Sequence, residues 1–213
     1  MDFIHLDFIS AFSVLPPLLI GLSQGKRLNT ELRLVTLMLV CSALADGLSY
    51  ICVSRNINSW PIVNAYFIVQ FTLLYLVFSH NYSNNYFKLL FFAFTMFSLV
   101  NYLVIQSPFE FNSTSSYLGA LFMLLLALFY LYRLFKDLPV ERVQDLPMLW
   151  IAFAVLIYFG GTLFVFLFNN YLIVNEPGTH SAIWILHNML NVAKNVFLSI
   201  ALWKHYTQSR SPG

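Results

Sequence analysis

Two ionisable side chains stand near the middle of long apolar stretches, Asp46 within residues 32–53 and Lys194 within residues 181–205. A charge at the centre of a membrane helix costs about 2.5–3.5 kcal/mol, so such a group normally faces the interior of a bundle and finds polar company there. The stretch that carries Lys194 is patterned for this. At about 100° per residue, His180, His187, Asn191 and Lys194 fall within about 60° of one another, with Asn195 further round the same side and Trp184 above. The opposite surface (Ile183, Leu186, Leu190, Phe197, Ile200, Ala201) is apolar. Around Asp46, the residues Ser42, Ser49 and Tyr50 form a shorter stripe, and Gln70 is central in the next stretch with Tyr66 one turn before it. One acid, one amine, one imidazole and several amides suit the binding of a small polar solute or a relay of protons. The expected ligand- or ion-binding set is Asp46, Gln70, His187, Asn191, Lys194 and Asn195. An Asp46–Lys194 ion pair would lower the cost of both charges.

The elements that must position these groups follow from composition. Of 213 residues 59% are hydrophobic and 9% charged, against about a quarter charged in ordinary soluble domains. A water-soluble globule of this size has nowhere to hide that much apolar surface. Seven stretches near 8–24, 32–53, 60–79, 86–106, 117–135, 146–168 and 181–205 each meet the roughly 20 residues a helix needs to cross a bilayer. The period-two alternation of a membrane barrel is absent, so the spans are helices. The expected fold class is all-α, a polytopic seven-transmembrane-helix bundle forming one domain over residues 1–213. The first stretch reads as a retained helix bent at Pro16-Pro17, because Met1–Asp7 has two acids and no cation.

Orientation follows from the cations. Lys26, Arg27, Arg33, Lys88, Arg133, Lys136, Arg142, Lys204 and Arg210 fall in the odd-numbered loops and the C-terminal end, and only Arg55 falls on the other side. Short Lys- and Arg-rich loops stay cytoplasmic, which predicts an outside N-terminus and a cytoplasmic C-terminus; the Phe-rich, short-looped style of the chain points to a bacterial inner (plasma) membrane. Trp60, Trp150, Trp184 and Trp203 lie at stretch ends and read as an interfacial girdle. The net charge of +2 gives no reason to expect nucleic acid as a partner. Cys41 and Cys52, about 16 Å apart on one helix, are too distant for a disulfide. No Cys or His spacing suggests a structural metal site, and nothing asks for a cofactor. Asn112-Ser113-Thr114 matches a glycosylation sequon.

Gln70, Asn101, Asn188 and Thr162 also read simply as hydrogen bonds between helices, and Gly160-Gly161 as a close-packing contact. Three function classes remain. Transport of a small polar solute or protons stands first. The layout is similar to that of seven-helix sugar carriers, built from two three-helix repeats and an inverting helix, but their Pro-Gln signature is missing. A faint echo joins Trp60, Asn64 and Gln70 to Trp184, Asn188 and Lys194 at one spacing. Receptor-like sensing stands second, acting through a separate cytoplasmic signalling partner because the spans leave no room for an output domain. The lysine resembles the Schiff-base residue of retinal proteins, but Leu190 stands where their acid one turn earlier is expected. An intramembrane metal-dependent hydrolase stands last, since His5, His80, His180 and His205 sit in loops or at helix ends and only His187 is deep.

Overall fold

Backbone amides with no water to bond must bond along their own chain, and in this computed structural model every apolar stretch is helical. The structure describes residues 3–81, 85–137 and 142–210. Among the described residues, seven helical spans are long and apolar enough to cross a membrane: Phe8–Arg27, Thr30–Ser54, Trp60–His80, Asn85–Ile105, Ser113–Asp137, Pro147–Asn169 and Ala182–Gln208. No strand occurs among the described residues. Hydropathy located all seven, with its largest boundary shift at the fifth, which begins at Ser113 instead of residue 117.

The first span is made of two helices, α1 (Phe3–Phe12) and α2 (Leu15–Gln24). Pro16 and Pro17 have no N–H to offer the carbonyls of Phe12 and Ser13, so the ladder breaks at Ser13-Val14, one turn before the prolines themselves. Helix α3 (Thr30–Ser54) is capped by Asn29, whose Oδ1 accepts from the Leu32 amide at 3.0 Å. Just past its end the chain turns at Asn56, in the left-handed region with φ 57°. Helices α4 (Trp60–Asn81) and α5 (Asn85–Val100) follow, and α5 runs into a π-turn over Asn101–Ile105. Helix α6 (Ser113–Asp137) leads to α7 (Pro147–Asn175) and α8 (Pro177–Gln208), each of the last two opening on proline.

Neighbour relations close a ring. α8 packs on α7, α7 on α6, α6 on α4, α4 on α3, α3 on α2, and both α2 and α1 pack back on α8. α5 stays outside, attached to α4 by stacked rings: Phe91 lies 3.9 Å from Tyr75 and 5.7 Å from Phe71 between centroids. Its π-turn is fastened to α6 by Asn101, which donates to Ser115 Oγ at 2.8 Å. Gly161 is the close-approach position in α7, because a Cβ there would collide with Leu190 of α8; at Gly160 it would meet only Leu124 at 3.6 Å.

The ring is solid at one end and hollow at the other. Where α3 begins and α8 finishes, Val35, Met38, Leu39, Val77, Ile151, Leu198 and Leu202 fill it completely. Beyond Leu39, α3 contributes no fully buried residue. At the solid end polar links tie the helix termini: Gln24 Nε2 donates to the Leu202 carbonyl at 3.1 Å, His205 Nδ1 meets Gln24 Oε1 at 2.8 Å, and Glu31 lies 3.8 Å from His80.

At the same end Lys204 Nζ donates to Asp145 Oδ1 at 2.7 Å, and Gln208 Nε2 to the Asp145 carbonyl at 2.6 Å. The Lys204 hydrogen bond, working against desolvation and aided by the charges of Lys204 and Arg142, holds the Asp145 carboxyl below its ordinary 3.8. A depressed folded-state value stabilises above the unfolded value and is lost as pH falls through the folded one. Carboxyl NMR is therefore expected to show Asp145 titrating below 3.8 and moving back up in Lys204→Met. A midpoint indifferent to that change would mean the clasp is not formed.

Candidate functional site

The hollow end holds a cavity of about 510 Å³ bounded by α1, α3, α4, α7 and α8. Its size falls within the roughly 300–1,000 Å³ of small-molecule sites. α8 turns its polar stripe into it, with Trp184, His187, Asn191 and Lys194 at successive depths, while Leu186, Met189 and Val196 on its other side are exposed. α3 supplies Ser42, Asp46 and Ser49; α4 supplies Trp60, Tyr66 and Gln70; α7 supplies Tyr158 and Phe166.

Five of the six expected residues, Asp46, Gln70, His187, Asn191 and Lys194, thus line one cavity. Asn195 does not. It lies behind the wall, 2% exposed, where its Nδ2 donates to Ser13 Oγ at 2.7 Å and ties α8 to the break between α1 and α2. Asn191 has a foot in both roles: it lines the cavity and donates to Ser10 Oγ of α1 at 2.9 Å. The side chain of His180 lies outside the described residues.

Lys194 is 6% exposed, and its Nζ sits 4.3 Å from the centroid of the Tyr158 ring. That aromatic face is worth about 2 kcal/mol to a desolvated cation. The hypothetical ion pair between Asp46 and Lys194 is not formed: no carboxylate comes within 4.0 Å of the amine among the described residues. The reason is architectural. α3 and α8 do not pack closely on each other, and the cavity separates their facing charges while leaving them within electrostatic reach. Asp46 itself is exposed. In a double-mutant cycle of Asp46→Asn and Lys194→Met, followed by thermal unfolding, the coupling is therefore expected to stay below the roughly 3–5 kcal/mol of a buried contact pair. A value in that range would mean direct contact.

Three polar atoms on the cavity wall are buried without a hydrogen-bond partner: Tyr66 Oη, Gln70 Nε2 and His187 Nδ1. Tyr66 lies beside the Ser42 hydroxyl without forming a regular hydrogen bond to it. Each orphaned group costs about 1–3 kcal/mol, and here they converge on one space. The His187 ring is held among Trp184, Tyr158 and Phe166, at 4.7, 5.6 and 5.8 Å between centroids.

The mouth is aromatic. Trp60, Phe111 and Trp184 lie 5.4, 6.1 and 6.2 Å apart pairwise, and Trp184 Nε1 donates to Asn169 Oδ1 at 3.0 Å. These two tryptophans therefore meet at the mouth as well as marking a span end. Trp150, stacked 5.9 Å from Phe197, is also partly inside, and only Trp203 is exposed. Phe111 is set in place by Asn64 of α4. Asn64 Nδ2 donates to the carbonyls of Glu110 at 2.8 Å and Pro108 at 3.3 Å, and its Oδ1 accepts from the Asn112 amide at 3.1 Å. Asn112 is 4% exposed with its Oδ1 buried, so the sequon is shut away from solvent in the folded protein.

Ser10, Phe111 and Tyr158 were not anticipated as site residues. Serine and phenylalanine carry no signal in so apolar a chain, and a mid-helix tyrosine reads as packing until a cation is found above it. No group of three His, Cys, Asp or Glu side chains that could hold a metal ion occurs among the described residues. Comparison with known proteins adds no relative: no protein-family model matches this chain, and no curated protein or solved structure is significantly similar to it.

Proposed function

We propose that the protein binds a small polar solute, or protons, in this intramembrane cavity and moves it across the bilayer. The single observation that carries the reading is the convergence of an acid, an amine and three unpartnered polar atoms on one space inside apolar spans. Uncompensated polar groups at this depth are costly, and a ligand that bonds them recovers that cost. The sorting of Lys and Arg supports an outside N-terminus and a cytoplasmic C-terminus. The cavity then faces outward and the packed core closes the cytoplasmic side. Carriage requires that plug to open in turn, and a bacterial inner membrane is the setting proposed.

One observation favours a second reading, a receptor-like sensor with a separate cytoplasmic partner. The helix that bears Lys194 continues unbroken to Lys204 and Gln208, which clasp Asp145 at the far end. Ligand at one end of α8 would then bias a contact at the other. Proteoliposomes separate the two. Transport predicts solute or proton flux that Lys194→Met abolishes; ligand binding without flux of either kind would replace transport by sensing.

A further inference from the structure

We infer that the preferred ligand is a small zwitterion, its cationic group held at Asp46 and its anionic group held at Lys194. This deepens the binding reading above and rests on it. The cavity wall carries one fixed charge of each sign, and neither has a protein partner: no hydrogen bond or ion pair engages Asp46 or Lys194 among the described residues, and Lys194 meets only the face of Tyr158. A single anion near Lys194 would be opposed by Asp46, and a single cation near Asp46 by Lys194. A neutral solute would leave both without a counter-charge. A molecule bearing both signs satisfies both and stays net neutral while entering a low-dielectric site.

Depth sets its orientation. Asp46 lies eight residues before the end of α3 at the hollow end, about 12 Å at a helical rise of about 1.5 Å per residue. Lys194 lies twelve residues into its span, about 18 Å from the same end. The anionic group therefore goes deepest, over Tyr158, and the cationic group stays nearer the mouth. Gln70 Nε2, as a donor, suits the anionic end, while Tyr66 Oη, and His187 Nδ1 in the tautomer protonated at Nε2, can accept from the ammonium or its substituents. The aromatic trio at the mouth would cover whatever lies beyond. Because the two charges are not in contact, the spacing between the ligand's own charges becomes a ruler.

Such chemistry has two sources, a free amino-acid-like solute or the headgroup of a zwitterionic lipid. The test uses purified protein in nanodiscs of anionic phosphatidylglycerol, read by thermal shift and tryptophan fluorescence. The probes are glycine, β-alanine, γ-aminobutyrate and 5-aminovalerate, with acetate, methylammonium and glycerol as singly charged and neutral controls. The expected result is a single best spacer length, bound at least about tenfold tighter than any control. Asp46→Asn is expected to shift preference toward acetate, and Lys194→Met toward methylammonium.

Stabilisation only when phosphatidylethanolamine replaces part of the lipid would keep the class and name the lipid headgroup as its source. Acetate, methylammonium or glycerol binding as well as the zwitterions would overturn the class while leaving the polar pocket standing. Zwitterion binding unmoved by either variant would place it elsewhere and also overturn the inference. No binding by any probe or lipid would remove the pocket reading along with it. Should a variant fail to fold, the wild-type comparison across charge classes decides alone.

Discussion

Lys194→Met is expected to abolish zwitterion binding and flux while leaving the protein as stable as the wild type, or more stable by about 1 kcal/mol. Lys194 is 6% exposed, and among the described residues the one close partner of its amine is the Tyr158 ring. That contact is worth about 2 kcal/mol, set against about 2.5–3.5 kcal/mol for a lysine at this depth. Methionine keeps the length and most of the apolar stem and removes the charge. A cation whose task was structural, paired to a buried acid, would behave in the opposite way, its removal costing about 3–5 kcal/mol. The measurements are unfolding in detergent and probe binding on one preparation. A large loss of stability would identify Lys194 as a structural ion, and unchanged binding would remove it from the site.

How much of this was legible beforehand depends on the range of the interaction. Membrane helices are dictated by local sequence, since each must satisfy its own backbone, and seven of them follow from hydropathy alone. Their ends blur because Ser113 and Gln208 continue a helix beyond its apolar part. The stripe on α8 was equally readable, because residues spaced three and four apart share a face whatever lies opposite. Relations between helices were not. Asp46 and Lys194 stand at compatible depths on helices the ring keeps apart, so their shared cavity and their lack of contact are both tertiary facts. Asn195 shows the complementary limit: one residue further round the helix, its amide meets Ser13 behind the wall instead of the cavity.

The residue whose role was most hidden yields the second large effect. Asn64 entered the sequence reading only as part of a spacing echo, yet it makes three hydrogen bonds to the loop that carries Phe111. It is 4% exposed, and the Asn112 amide it receives is buried. Asn64→Leu leaves that amide and two carbonyls without their partner, and is expected to cost about 2–3 kcal/mol of stability. Phe111 would also be released from its places 5.4 Å from Trp60 and 5.6 Å from Phe166. Trp60 and Trp184 emission is therefore expected to shift to the red, and ligand affinity to fall because the mouth has lost its shape, with the charged groups below untouched. This signature is the reverse of that of Lys194→Met, where stability holds and binding goes. An Asn64→Leu protein that melts with the wild type and keeps its emission maximum would show that the loop is held by something other than Asn64.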